Sequence, residues 1–543
     1  MKKTKTKIIG FQSGHDVSYC ILENGIPTLY NEWERFLRKK EPEGDGLKLF
    51  FDHRENTEDT RNIEYFTHGN PGFREGYFAT RNVPEHGKFP CFNQEYDDKM
   101  KKTGAEYLEF SHHKCHAAHA FFSSNHQKSL IITLDGGGKE LEYGATAATV
   151  WSGEGNKINN LHTYPLSELN IGSLWSTVTE DVFGLSWGYP YGRSAGTVMA
   201  MATVGDPDTE DYLQIFNGCF SYPGITEEAK DYLKGIVNRS EQDSYNVAAA
   251  LQKATELQVK EFVELWTQKF PTYKNLCLAG GVALNSVIIG KIYDWFPHLE
   301  SVFVPPVPYD GGLSIGSAQY LWHHVLDNPR IEWEDNYTPY LGRTYSKEEV
   351  FSAIQKFGLD FEYVTDDDVV DLLSKDDNVV SVFGGSSESG RRALGNRSIL
   401  GDPRSLTMKS VINEKVKHRQ HFRPFAPSIL REEVKNWFVK DVDSPYMTAV
   451  IKFKEEVRDK VPAVCHFDYS GRLQTVTRKG NEWYYNFIKK FGEKTGVPIL
   501  LNTSFNDREP IVESPQDGIA CFLKTDIDYL YFFDVGVLIK KNA

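Results

Sequence analysis

The apolar positions of this chain fall into short runs that stop at glycine. IIGF at 8–11, VSYCIL at 17–22 and PTLYNEW at 27–33 are separated by the polar turns QSGHD and ENG. Such runs, closed by Gly, Asn and Asp, predict strand, turn, strand, turn, strand. An isolated hairpin is the competing reading. Residues 45–100 show weak periodicity and many Gly, Pro, Asn and Arg, so an irregular insertion or covering flap is expected there. From Ser111 onward, SHHKCHAAHAFF predicts a helix over 112–126. Ser111 is the expected N-cap, and Ala117, Ala118, Ala120, Phe121 and Phe122 form a packing surface. The apolar run Leu130–Leu134 then predicts a buried strand that delivers Asp135 into a turn of three glycines.

The same plan recurs twice. A long amphipathic helix is expected over 245–270, before NLCLAGGVALNSVI, a strand with a glycine pair and a helix start. VFVPPVPYDGGLSIGSAQYLW repeats it with Asp310, Gly311 and Gly312. Three strand–glycine–helix junctions, at 134–138, 279–285 and 310–318, predict an α/β domain built by duplication, with a ribonuclease-H-like opening. Backbone N–H groups approach a phosphate only where no side chain intrudes. Gly136, Gly137, Gly280, Gly281, Gly311 and Gly312 are therefore candidate nucleotide contacts. DNYTPYLGRTYSKEEV, near 335–350, predicts a linker. Beyond it, VVSVFGGSSESG, PILLNTSFND and YLYFFDVGVLI predict a second α/β domain. The expected division is 1–340 and 350–543.

Composition narrows the function classes. At 543 residues the chain is about three to four average domains long, too long for one ordinary core. Apolar residues make up 40% and aromatics 13%, enough to bury a sizeable core, and the mean hydropathy is −0.46. No run reaches the roughly 18–20 apolar residues of a membrane span. The basic start MKKTKTKIIGF lacks the apolar stretch of a signal peptide, so a cytoplasmic protein is expected. Seven cysteines without a CxxC pair argue against a disulfide scaffold or a zinc knot. Any metal would use His and carboxylate. A net charge of −14 implies no general grip on polyanions, so polymeric nucleic acid is not favoured.

Two local patterns carry chemistry. His112 and His116 are four apart and share one helix face, a spacing that suits two imidazoles on one metal. Asp135 and Asp310 each precede glycines at a strand end. A His112, His116, Asp135, Asp310 set could hold Fe²⁺, Mn²⁺ or Zn²⁺. Polar helix histidines packed on the Asp135 turn remain the alternative. His15, beside Asp16, is a candidate general base for an acceptor hydroxyl, with Glu32, Glu34 and Arg35 lining the same mouth or simply solvated. In the second half, Arg391, Arg392, Arg397, Arg404, Lys417, Arg419 and Arg423 fall within 33 residues. This local charge reversal, interleaved with Ala393, Leu394, Phe422, Pro424 and Phe425, predicts a partly buried pocket for a small phosphate or phosphorylated carboxylate. His466, Arg472, Asn502 and Asn506 could complete it. A solvated basic patch is the bland alternative.

HDVS, SHHKCHAAHAF, LDGGG, GGVALN, DGGLSIG, RALGNRSIL, KHRQHFRPFAPS, GRLQTV and LNTSFN together resemble the NodU-type ATP-dependent O-carbamoyltransferases over nearly the whole chain. The resemblance implies an N-terminal domain of the actin and sugar-kinase superfamily, similar to tRNA threonylcarbamoyl-transfer ATPases, and a YrdC-like C-terminal domain. It implies that carbamoyl phosphate is cleaved to carbamate, that ATP converts carbamate to carbamoyladenylate, and that the adenylate moves to the N-terminal domain. There a hydroxyl of a small molecule, sugar or modified nucleotide accepts the carbamoyl group. By motif, His112, His116, Asp135 and Asp310 would hold the metal. Fe²⁺ is expected, Mn²⁺ and Zn²⁺ stay open, and Mg²⁺ could accompany ATP. Gly280, Gly281 and Asn285 would face adenosine, and His15 the acceptor. Arg392, Lys417, Arg423 and Arg472 would hold carbamoyl phosphate. The adjacent His113 leaves the helix register ambiguous. Departures from the family pattern fall at Ser386, Ser389, Arg391 and Thr197, where arginine, phenylalanine, proline and lysine are usual. Arg391 or Arg193 could restore a displaced positive charge. Carbamoylation of a nucleic-acid base or protein thiol, and a non-enzymatic nucleotide-gated scaffold, are the alternatives, and a homodimer is left open.

Overall fold

The structure, a computed structural model, describes residues 6–53, 62–70, 94–140, 143–185, 194–209, 211–375, 377–420 and 422–541. It divides into two compact units: Met1–Asn285 with Ile292–Tyr337, and Ser286–Lys291 with Thr338–Ala543. Both are mixed α/β, the class expected from the sequence.

The first unit holds two five-stranded sheets of the same design. One contains β1 (Lys7–Gln12), β2 (Ser18–Glu23), β3 (Ile26–Glu32), β4 (Ile63–His68) and β5 (Glu106–Glu109), ordered β3-β2-β1-β4-β5. The other contains β6 (Lys128–Glu140), β7 (Gly144–Glu154), β8 (Lys157–Pro165), β9 (Asn275–Ala279) and β10 (Ser301–Phe303), ordered β10-β9-β6-β7-β8. In each, the first three strands form an antiparallel meander and the last two add parallel to the first strand. The repeated 3-2-1-4-5 order is the ribonuclease-H-like duplication that the glycine junctions predicted.

Two expectations need correction. The 45–100 stretch is not wholly an irregular insertion: Ile63–His68 is β4, in the interior of the first sheet, and Gly46–Asp52 and Gln94–Lys102 are helices. Its strand was hidden because IEYFTH alternates only briefly between polar flanks. Residues 54–61 and 71–93 of that stretch lie outside the described residues. Second, the glycines after Asp135 do not end their strand. β6 runs on to Glu140, and its pairing with β7 shifts between Leu134 and Gly138, so the intervening residues bulge out.

The helices His112–Ser123 and Leu313–Gln319 pack on each other between these sheets. The first lies on β6 and β9, the second on β1, β2 and β4. Their separation is set by Gly316, where a Cβ would stand 2.0 Å from the Cys115 carbonyl oxygen. Phe121, Phe122, Ile131 and Leu313 belong to the resulting core, while Phe11, Tyr19, Phe50 and Phe66 fill a second one.

The second unit is built on one nine-stranded mixed sheet. Its strands, in spatial order, are Glu362–Tyr363, Val537–Lys540, Tyr529–Phe532, Val380–Phe383, Arg397–Gly401, Ile499–Ser504, Ala426–Leu430, Ser470–Val476 and Ala449–Lys452. The helix Glu482–Thr495 lies on it through Tyr484, Phe487, Ile488 and Phe491, all fully buried. No helix among the described residues is long and apolar enough to cross a membrane.

Replacing Gly316 with alanine should force the two central helices apart and destabilise the protein by about 1–3 kcal/mol. A lowered denaturation midpoint would show it, and an unchanged midpoint would mean that this approach carries no constraint.

Candidate functional site

In the first unit, four side chains converge where β6 bulges after Leu134, where the helix His112–Ser123 begins and where the chain turns at Asp310. One donor atom from each of His112, His116, Asp135 and Asp310 lies within 4.8 Å of the others. Asp135 Oδ2 is 3.0 Å from His112 Nε2 and 3.3 Å from His116 Nε2. Asp310 Oδ1 is 3.6 and 3.4 Å from the same two nitrogens, which are 3.2 Å apart. Asp135 Oδ1 is occupied differently, accepting from the Gly136 and Gly281 amides at 2.8 and 3.1 Å. One carboxylate oxygen is thus fixed by backbone and the other faces the imidazoles. The hydrogen bonds from His112 and His116 hold Asp135 well below the usual carboxylate range although burial opposes this, and His116 is raised to about 9 because Asp135 and Asp310 outweigh its burial.

Glycines make this convergence sterically possible. A Cβ on Gly138 would lie 2.2 Å from the His112 ring, and Gly280, at φ +90°, would place one 2.1 Å from the Leu134 carbonyl oxygen. The helix start is not capped as expected. Ser111 makes no side-chain cap; Glu140, at the far end of β6, accepts the His113 amide at 2.7 Å instead. The bulge after Asp135 therefore serves both ends of the site.

The histidine register is resolved. His113 faces away, with Nδ1 2.7 Å from Thr133 Oγ1 and Nε2 3.0 Å from the Thr146 carbonyl. Burial lowers it to about 3, so it is neutral and structural. His119, also lowered to about 3 by burial, meets Ser123 Oγ at 3.1 Å. His15 joins the centre from the loop after β1: Nε2 is 3.2 Å from Asp310 Oδ2 and Nδ1 is 2.8 Å from Asp16 Oδ2. Burial pulls its pKa down, but Asp310 and Asp16 outweigh this and raise it to about 9. Four nitrogen and carboxylate donors with two glycine-pinned approaches fit a divalent cation, and this donor set suits Fe²⁺, Mn²⁺ or Zn²⁺ alike.

The glycines expected to meet nucleotide differ among themselves. Gly136 and Gly281 spend their amides on Asp135. Gly311 and Gly312 are buried, and Cβ atoms there would meet Tyr30 Oη at 2.7 Å and the Val307 carbonyl at 2.2 Å; these two serve packing. Gly137, at φ +151°, has no neighbour within 3.4 Å of its Cβ position. Asn285 donates to Gln252 Oε1 at 2.8 Å, and Gln252 donates to Glu256 Oε1 at 3.0 Å. This polar ladder on the long helix Glu241–Lys269 was missed, because Gln252 and Glu256 sit in an ordinary amphipathic pattern. Glu32 lies under the Asp310 turn as a buried acceptor for Tyr30 and Tyr309, at 2.7 and 2.5 Å. It is not a solvated mouth residue.

In the second unit, guanidinium groups crowd together. Burial, then Arg392, Arg423 and Arg419 in turn, drive Arg472 well below the ordinary arginine value. Arg419 is lowered to about 9 by burial and Arg423, and Arg423 is lowered by burial. Lys409 belongs to this group too, its pKa lowered by burial and by Arg419; its position in the polar stretch TMKSV gave no signal. His466 is lowered to about 4, by burial first and by Arg472 and Lys409.

Other expected phosphate ligands have different work. Arg397 is fully buried, donates to the carbonyls of Gly384 and Asn396 at 2.6 and 2.9 Å, and stacks on Phe383. It is a structural rivet in its sheet. Lys417 donates to the Ser504 carbonyl, the Asn506 carbonyl and Asn506 Oδ1 at 2.5, 2.7 and 2.7 Å, which secures the LNTSFN turn. Asn506 is thereby its partner, and Asn502 donates to the Ala393 carbonyl and Gln474 Oε1 within the sheet. Arg404 pairs with Asp402 at 2.6 Å. Among the departures, Ser389 donates to the Pro339 carbonyl at 2.8 Å, and Ser386 Oγ is 3.3 Å from Thr344 Oγ1. Thr197 lies in the helix Ala195–Met201. Arg391 is half-buried, and Arg193 lies outside the described residues. The RRALGNR turn is organised by Glu388, whose Oε1 accepts from the Leu394, Asn396 and Arg397 amides at 2.8, 2.8 and 3.1 Å.

Comparison with known proteins places the chain in one family. Residues 87–319 match the carbamoyltransferase N-terminus and residues 371–540 the carbamoyltransferase C-terminus. The chain is 36% identical to nodulation protein NolNO of Sinorhizobium fredii over 83% of its own length and 66% of that protein. It is 34% identical to nodulation protein NolO of Bradyrhizobium diazoefficiens over 77% of each. Among solved structures, HypF of T. kodakarensis aligns over 60% of this chain and 48% of its own, at 14% identity and a TM-score of 0.36. The chain belongs to the carbamoyltransferase family and is a transferase enzyme.

Proposed function

We propose that this protein is an ATP-dependent O-carbamoyltransferase. Carbamoyl phosphate is cleaved by water to carbamate and phosphate. A carbamate oxygen then attacks the α-phosphorus of ATP, and pyrophosphate leaves. An acceptor hydroxyl finally attacks the carbamoyl carbon of the adenylate and releases AMP. The acceptor is a small molecule, a sugar or a modified nucleotide.

The observation that carries this reading is the crowding of the half-buried Arg392, Arg419, Arg423 and Arg472 in the second unit. Like charges at that density raise one another's free energy, and an anionic ligand relieves it. A small phosphorylated substrate brings opposite charge to the cluster, and guanidinium forks match its oxygens. The same groups stabilise charge that develops on phosphate as the carbamoyl bond breaks.

Adenylate transfer is assigned to the first unit. His112, His116, Asp135 and Asp310 would hold the divalent cation, which offsets phosphate charge and polarises the carbamoyl carbonyl when bound. Asn285 and the Gly280–Gly281 turn would face the adenosine. His15 takes the hydroxyl proton in its neutral form; the carboxylate that now helps hold its proton, Asp310, is one that the cation would engage.

Incubation with ATP and carbamoyl phosphate should release pyrophosphate and phosphate together. Neither product from metal-replete protein would overturn the reading, and a carbamoylated base or thiol in place of a hydroxyl would redirect it. Arg423→Ala and Arg472→Ala should each lower carbamoyl-phosphate-dependent pyrophosphate release by about 10- to 100-fold, the worth of one charge-assisted contact. ATP binding, followed by isothermal titration, should stay within about twofold. His116→Ala should reduce bound metal, by elemental analysis, and abolish transfer to the acceptor. Full metal content in that variant would remove His116 from the ligand set.

A further inference from the structure

The arginine cluster explains a grip on phosphate but not the choice of a carbamoyl over another acyl phosphate. A second set of contacts bears on this. His466 opens a tight loop, HFDYS, whose ends are joined by the His466 amide donating to the Ser470 carbonyl at 2.8 Å. Within it, Ser470 Oγ donates to Asp468 Oδ1 at 2.6 Å and lies 3.3 Å from His466 Nδ1. A serine hydroxyl has one proton, and the short contact to a carboxylate takes it. Ser470 Oγ can then only accept from the imidazole. The ring is neutral, so the proton sits on Nδ1 and Nε2 carries a lone pair. Nε2, on the opposite edge of the ring, is buried and makes no hydrogen bond among the described residues. The ring stands close enough to Asp468, Arg472 and Lys409 to feel all three charges, and the Phe425 backbone carbonyl lies beside it. Ser470 and Arg472 are two apart on one strand and share a face of the sheet.

Resting on the carbamoyl-phosphate reading above, we propose that His466 is a specificity-determining residue: its Nε2 accepts an N–H of the substrate's carbamoyl group. An acetyl phosphate presents a methyl group at that place and leaves a buried acceptor unpaired. Sites built to pair with a substrate N–H reject analogues that lack it far more strongly than apolar pockets reject a methylene. The Asp468–Ser470–His466 chain fixes the tautomer that makes this possible.

The test is titration of the full-length protein with carbamoyl phosphate, acetyl phosphate and inorganic phosphate. The native protein should bind carbamoyl phosphate at least about 100-fold more tightly than acetyl phosphate. His466→Phe should reduce that ratio to below about tenfold, through weaker carbamoyl phosphate binding, while inorganic phosphate still binds as before. Ser470→Ala frees the tautomer and should lower the ratio in the same direction, which covers the case of a misfolded His466→Phe. A native protein that binds both acyl phosphates equally would overturn the proposal and leave the anion site standing. So would variants that lose all three ligands in parallel or keep the native ratio. If the native protein binds none of the three, the carbamoyl-phosphate reading fails as well.

Discussion

The N-terminal centre depends on how one carboxylate is divided. Asp135 gives one oxygen to the amides of Gly136 and Gly281 and turns the other towards two imidazoles. A buried carboxylate needs compensation on every lone pair it exposes to protein. Satisfying one side with backbone leaves the other at a defined height above the helix His112–Ser123. The bulge in β6 is the price of that arrangement: it releases Asp135 from the ladder and then returns the strand to Glu140, which holds the start of the same helix. Strand, helix and site are therefore one mechanical unit.

The C-terminal site works by the opposite rule. Asp135 is nearly saturated by its neighbours, whereas Arg472 is surrounded by charges of its own sign. Much of the surrounding polarity is spent on building the walls. Arg397, Lys417, Asn502 and Asn506 bond to main chain and to each other, and Glu388 gathers three amides of the arginine-rich turn. These buried networks tie the walls to the sheet, so the cationic groups are held together despite their repulsion. Under the proposed function, the energy stored in that repulsion is what a bound anion recovers.

Charge type in sequence did not distinguish wall from pocket. Arg397 and Arg392 are five residues apart in the same basic motif, yet one is sealed beneath Phe383 and the other acts on Arg472. Lys409 and Arg419 join the cluster from a helical segment and a loop that flank the motif. Glu32, Gln252 and Glu256 gave no signal because a buried carboxylate or amide looks like any polar residue until its partners are brought to it from elsewhere in the chain.

What the sequence determined by itself was local and periodic: the glycine-terminated apolar runs, the i, i+4 imidazoles and the class of fold. These follow from backbone sterics and from the 2- and 3.6-residue periods, which act over a few residues. The role of β4, the resolution of His112 from His113, Glu140 as helix cap and the separation of structural from clustered arginines were decided only by the tertiary structure. Each depends on which distant group completes a buried hydrogen bond or crowds a buried charge. That choice is made by sheet order and helix packing, which no short window of sequence contains.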